Sequence, residues 1–203
     1  MYVCPGGFIV PAATAPEEVV VNGMSPSSRN SKFANSGIVV EIDARRDLYK
    51  YEKYGIFKGL EFQKDLEKLA WVAGGKSQTA PAQRLTDFVE GNMSISLNTT
   101  SYQPGLKSAP LHSLLPKMIG KKLRKGLKEF GNKMHGFYTQ EANVIGVESR
   151  TSSPVKIPRD KKLEHIEIKG LFPCGEGAGY AGGIVSAAMD GERCVEAVID
   201  KLS

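Results

Sequence analysis

The sequence predicts a mixed α and β protein. Three observations carry that expectation: β-branched runs concentrated toward the two ends of the chain, apolar positions at helical spacing through its middle, and an ordinary globular composition. Of the 203 residues, 41% are hydrophobic and 24% charged, which argues against wholesale disorder and against a fibrous repeat. A chain of this length buries a sizeable core without disulfides or metal to staple it.

Taken in order, Phe8-Ile9-Val10, Val19-Val20-Val21 and Ile38-Val39-Val40-Glu41-Ile42 are expected as strands, separated by proline, glycine, asparagine and serine. The polar stretch from Asn22 to Asn30 is too rich in turn formers for helix or strand. Phe62, Leu66, Leu69, Ala70 and Ala73 then recur at helical spacing and Gly74-Gly75 supplies a stop, so a helix is expected over 60–73. A shorter helix is expected over Ala82 to Val89, followed by turns from Asn98 to Gly105. A second long helix is expected over 114–133. Its buried stripe is Leu114, Leu115, Met118, Ile119, Leu123, Leu127 and Phe130, and Lys117, Lys121, Lys122, Arg124, Lys125, Lys128 and Lys133 make the remainder positive. Asn143 to Val147 returns to strand, before a hydroxyl-rich loop from Glu148 to Val155. The organisation expected is a β-rich segment over 1–45, a mainly helical module over 46–139, and a closing segment over 140–203.

Lysine and arginine outnumber aspartate and glutamate 27 to 22, giving a net charge of +5 and a pI near 9.0. That leaves an anionic partner open without choosing one. The basic helix over 114–133 makes a nucleic-acid-binding module the alternative reading, beside a non-catalytic structural remnant. Aromatics are not interleaved with its charges and no recognition motif accompanies it, which argues against nucleic acid. No window approaches the roughly 18 apolar residues of a membrane span. The N-terminal residues lack the basic and apolar regions of a secretory signal, so a cytoplasmic protein is expected. Cys4, Cys174 and Cys194 are an odd, widely spaced set, and His112, His135 and His165 are scattered, so reduced thiols and no metal are expected. Cys174 and Cys194 read as small core residues, whereas Cys4 sits in an exposed-looking loop.

The most informative segment runs from Gly170 to Gly191 and reads as strand, glycine turn, helix. Gly177, Gly179 and Gly182 satisfy G-x-G-x-x-G, whose physics is bare backbone approaching an anionic group at a helix N-terminus. A dinucleotide fingerprint also needs a further strand ending in an acidic residue about 20 residues on. Here Asp200 falls on the final helix and Ser203 is the last residue. A tight turn before a closely packed helix is the competing explanation.

Four motifs occur in order: Cys4-Pro5-Gly6-Gly7; Asn22-Gly23-Met24-Ser25 with Arg29 and Ala34-Asn35-Ser36; Glu148-Ser149-Arg150-Thr151-Ser152-Ser153-Pro154-Val155; and Leu171-Phe172-Pro173-Cys174-Gly175-Glu176-Gly177-Ala178-Gly179-Tyr180-Ala181-Gly182-Gly183-Ile184. Together they resemble the C-terminal part of the bacterial family of uncharacterised FAD-dependent dehydrogenases, NAD(P)/FAD-dependent oxidoreductases. More distantly they are similar to glutathione-reductase-like flavoproteins. The resemblance implies an incomplete FAD/NAD(P)-binding fold with an inserted, partly helical substrate domain. It implies FAD as cofactor, with Gly175, Glu176, Gly177, Ala178, Gly179, Tyr180, Ala181, Gly182, Gly183 and Ile184 facing it and Glu176 accepting from ribityl hydroxyls. Cys4, Arg150, Thr151, Ser152 and Ser153 are candidates for the substrate or the flavin edge. Family members begin with a dinucleotide-binding unit that nothing before Cys4 supplies. The expectation is therefore a fragment, inactive alone, whose partners are FAD, a small-molecule substrate and a separate N-terminal FAD-binding half.

Overall fold

Small sheets and five helices fall into two units in the computed structural model, which describes residues 2–203. The first unit takes the chain up to Asp43 together with Lys64–Ser149, and the second takes Ala44–Gln63 with Arg150–Ser203.

In the first unit, β1 (Tyr2–Pro5) pairs antiparallel with β4 (Ala34–Gly37), and β2 (Phe8–Pro11) with β3 (Val21–Met24). The glycines of the two N-terminal motifs are dictated by close packing at this corner. A Cβ on Gly6, whose φ is +64°, would lie 1.9 Å from the Arg29 carbonyl oxygen, and one on Gly23 would lie 2.4 Å from the Asn35 side chain. Asn35 in turn donates to the Phe8 carbonyl at 3.2 Å, so Cys4-Pro5-Gly6-Gly7, Gly23, Arg29 and Asn35 share one corner. Val19 and Val20 are buried but precede the strand, which begins at Val21. Ile38 to Ile42, expected as a strand, forms none. Ile38 to Glu41 instead line a groove of about 310 Å³ against Lys122, Leu123, Gly126 and Phe130.

The helix expected over 60–73 is α1 (Lys58–Ala73). Beyond it the expected helix over Ala82–Val89 is replaced by a strand, β5 (Ala80–Arg84), and a shorter helix, α2 (Leu85–Glu90). The sequence Ala-Pro-Ala-Gln-Arg has no β-branched residue, and burial overrides propensity. β5 is the centre of a three-stranded sheet, parallel to β6 (Leu106–Ser108) and antiparallel to β7 (Asn143–Ile145), with Ala80, Ala82 and Gln83 fully buried. Small side chains are what such a position admits. The long basic helix is divided: α3 (Leu111–Leu114) ends before Leu115, which is extended at φ −63° and ψ 147°, and α4 (Lys117–Lys133) begins after Pro116. A residue before proline is steered out of the helical region, and that explains the break. Ile119 and Leu127 bury one face of α4, and Lys121, Lys122, Lys125 and Lys128 are exposed on the other.

The second unit has a 3₁₀ stretch (Tyr49–Phe57) kinked at Gly55, the first turns of α1, irregular chain from Arg150 to Gly183, and α5 (Ile184–Leu202). Tyr51 packs edge to face on Phe62 at 5.5 Å. No helix among the described residues is long and apolar enough to cross a membrane.

Gln83 joins β5 to α3 through polar bonds. Its Nε2 donates to the Asn92 carbonyl at 2.6 Å and faces His112 Nδ1 at 2.9 Å, while its Oε1 accepts the His112 backbone N–H at 2.9 Å. The amide is thereby oriented and Nδ1 serves as acceptor, the neutral tautomer. Burial first, and then the Arg124 charge, lower the His112 pKa from its usual 6.5. Below that usual value the unfolded chain takes up the proton before the folded one does, so stability rises with pH across the window. Folding stability is therefore expected to fall as pH is lowered from 7 toward 5. In urea unfolding at both pH values His112→Asn should show the shallower dependence, and identical slopes would contradict the assignment.

Candidate functional site

Around the glycine turn the expected strand is absent, and two side chains take over the hydrogen bonds a strand would have made. Arg159 Nη1 donates to the Pro173 carbonyl at 2.8 Å, and the Gly175 N–H donates to Asp190 Oδ2 at 2.9 Å. The two residues are paired bidentately, Nη2 to Oδ1 at 2.7 Å and Nη1 to Oδ2 at 3.0 Å, with both side chains nine-tenths buried. The hydrogen bond from Arg159, followed by that from the Gly175 amide against opposing burial, holds the Asp190 carboxyl below its ordinary range. Asp190 lies on α5, so the entry to the turn is tied directly to the helix that follows it.

The turn then closes on itself. Gly179 N–H donates to the Glu176 carbonyl at 2.9 Å and Tyr180 N–H to the Gly175 carbonyl at 3.0 Å, with Gly175 and Gly179 at φ +71° and +82°. Only glycine adopts those angles without strain. The Tyr180 ring lies 3.6 Å from the Arg159 guanidinium carbon and its hydroxyl donates to the Ile157 carbonyl at 2.9 Å, so this aromatic is held by its own unit. Ser153, read in the sequence as a separate candidate, is brought to the same place: its one hydroxyl proton is shared between the Val155 carbonyl at 2.7 Å and the Gly177 carbonyl at 3.2 Å. Thr151 and Ser152 are exposed nearby in sequence, and Arg150 is half-buried. Cys4 lies in the first unit and Cys174 is exposed, which corrects its reading as a core residue. Cys194 is buried on α5 as expected.

Three features leave this turn open to a ligand. The Glu176 carboxylate is exposed. Positions 177 and 182 are glycine although a Cβ at either would meet nothing within 4 Å and neither has a positive φ, so the chain's own packing does not require glycine there. The first turn of α5 carries no acidic residue, and the N–H groups of a helical first turn have no partner within the helix. An exposed carboxylate and bare backbone in a turn that leads into a helix suit a ligand with both hydroxyls and anionic groups.

Sequence reasoning missed Arg159 and Asp190. Asp190 carried one signal, a carboxylate four residues before Cys194 on one helical face, but nothing in the spacing of Arg159 announces its partner. Glu148 was also passed over. It approaches Gly37 in the first unit, and burial raises its carboxyl pKa.

Fold and site together define a mixed α/β protein with a glycine turn leading into a helix. The matching family model is described as FAD-dependent protein, C-terminal domain-like, and it covers residues 2–151. The chain belongs to that family. It is also similar to an uncharacterized protein of Clostridium beijerinckii, 38% identical over 200 residues that make up 98% of this chain and 37% of the relative. The chain thus spans well under half the length of that relative. The turn from Gly175 to Ile184 lies beyond the family match, within the stretch shared with the longer protein.

Removing one partner of a buried ion pair costs about 3–5 kcal/mol. Asp190→Ala is expected to destabilise the second unit by that order and to speed amide exchange at Gly175, whose acceptor is lost. Arg159→Met combined with Asp190→Leu should recover part of the stability but not the Gly175 protection. Hydrogen exchange by NMR checks both, and unchanged Gly175 exchange in Asp190→Ala would contradict the arrangement.

Proposed function

We propose that the chain is the C-terminal portion of an FAD-dependent oxidoreductase, a dehydrogenase, contributing a flavin-facing turn and a substrate domain to a longer protein. The single observation that carries this reading is the pair of glycines at 177 and 182, which face open space that packing within the chain leaves bare. The family membership supplies FAD as the ligand that fits. Glu176 accepts hydrogen bonds from ribityl hydroxyls, the backbone of Gly175 to Gly183 approaches the cofactor, and the N-terminal turn of α5 offers donors to it. Ser153 steadies Gly177 through its carbonyl. FAD, when bound, supplies the hydride or electron transfer, and the protein supplies position and electrostatics.

The division into a β-rich segment over 1–45, an inserted substrate module over 46–139 and a returning cofactor segment over 140–203 belongs to the same proposal. So does the separate FAD-binding half. α5 supports that partner: its inner face holds Asp190 and Cys194, and a roughly opposite face exposes Ile184, Val185, Val195, Ile199 and Leu202, the first and last at 92% and 82%. A helix held by its unit on one face and apolar and exposed on another is suited to be covered there by a partner.

The test is flavin retention. The chain, mixed with the part of the Clostridium beijerinckii relative that lies outside the match, is incubated with FAD, desalted and read by visible absorbance. A retained flavin band is expected. Losing one charge-assisted hydrogen bond weakens binding by about 10- to 100-fold, the change expected for Glu176→Ala. A colourless mixture, or equal affinity in the variant, contradicts the proposal.

A further inference from the structure

The chain on either side of Cys174 is held against the helix turn that carries Cys194, although 19 residues separate the two cysteines in the sequence. Cys174 stands between two backbone groups that are each held at α5. The Pro173 carbonyl lies 4.0 Å from the Cys194 Sγ, and the Gly175 N–H bonds to Asp190, one helical turn before Cys194. Besides burial, the Cys174 thiol bears on the Cys194 thiol electrostatically and raises its pKa, while the backbone on either side of Cys174 is held beside Cys194 and Asp190. Arg159 Nη1 lies 3.3 Å from Cys194 Sγ, so a positive charge faces that sulfur. Cys174 is exposed and Cys194 is buried, which gives an outside reagent access to one of the two.

We propose that Cys174 and Cys194 form a redox-active pair that closes to an intramolecular disulfide in exchange with a small-molecule disulfide such as oxidised glutathione. The Cys174 thiolate attacks one sulfur of the small disulfide, forming a mixed disulfide and releasing one glutathione thiolate. The Cys194 thiolate then attacks Cys174 Sγ, breaking the mixed bond and releasing the second glutathione. The two protons lost by the cysteines end on the two glutathione thiols, the protein pair is oxidised by two electrons, and the small disulfide is reduced by two.

The order of attack follows from the surroundings. Burial raises the Cys194 thiol chiefly, with the Arg159 charge acting in the opposite direction. Cys194 therefore enters second, once the mixed disulfide has formed beside it, and Arg159 faces the sulfur as it gives up its proton. The product bond ties the residue just before Gly175 to α5 covalently, where Arg159 and Asp190 hold the same backbone reversibly. It requires no bound flavin, so it stands or falls separately from the cofactor reading.

The test treats the full chain carrying Cys4→Ser with oxidised glutathione and maps peptides by mass spectrometry. The result expected is loss of two hydrogen atoms and a Cys174 to Cys194 cross-link within one molecule, reversed by dithiothreitol. Cys4→Ser with Cys194→Ala should instead accumulate a stable glutathione adduct on Cys174, and Cys4→Ser with Cys174→Ala should stay unmodified. A stable Cys174 adduct in the Cys4→Ser protein, a cross-link only between molecules, or no modification would each overturn the proposal.

Discussion

The glycine turn is placed by one buried carboxylate. Asp190 accepts from both arms of Arg159 and from the Gly175 amide, and Arg159 uses the same guanidinium to hold the Pro173 carbonyl and to lie against Tyr180. These bonds take the place of a strand ladder. A buried pair of this kind adds little net stability compared with an apolar pair, and its value is geometric specificity, since few other arrangements satisfy so many donors at once. The turn needs that specificity because five of the nine residues from Gly175 to Gly183 are glycine, and Tyr180 and Ala178 supply its packing. The Arg150 to Ile157 segment runs alongside the same turn through Ser153 and the Ile157 amide.

Glycines in this chain divide by what they approach. Gly6 and Gly23 lie where protein backbone or an asparagine side chain presses within 2.5 Å of a Cβ position, and Gly175 and Gly179 have left-handed angles. Gly177 and Gly182 have neither reason, as is also true of Gly126 and Gly191 on helices, but these two stand in the turn itself. Glycine carries an entropic cost wherever it is used, and at these two positions neither a steric limit nor a backbone angle calls for it. The exposed outer face of α5 makes the same point in hydrophobic terms.

Legibility in the sequence followed the physics of each segment. α1 was readable because apolar spacing and a double-glycine stop agree, and the burial of Ile119 and Leu127 because the stripe on α4 is strongly two-sided. β5 was not, since Ala80, Ala82 and Gln83 earn a central position by fitting a fully buried space that only tertiary structure defines. Ile38 to Ile42 misled in the opposite direction: β-branched residues pointed to a strand, yet among the described residues no partner strand lies beside them. At the site, the glycine turn could be read from bare backbone positions and Ser153 could be suspected. The Arg159 to Asp190 pair could not, because it joins an irregular loop to a helix 31 residues on without any periodic trace.

The central claim is that the turn from Gly175 to Ile184 is the flavin-facing surface of this chain. Amide hydrogen exchange with and without FAD, on the chain combined with the unmatched part of its Clostridium beijerinckii relative, addresses it most directly. The account predicts slowed exchange concentrated at residues 175–186. Slowing confined to α4 or to the corner around Gly6 and Gly23, or no slowing anywhere, would contradict it.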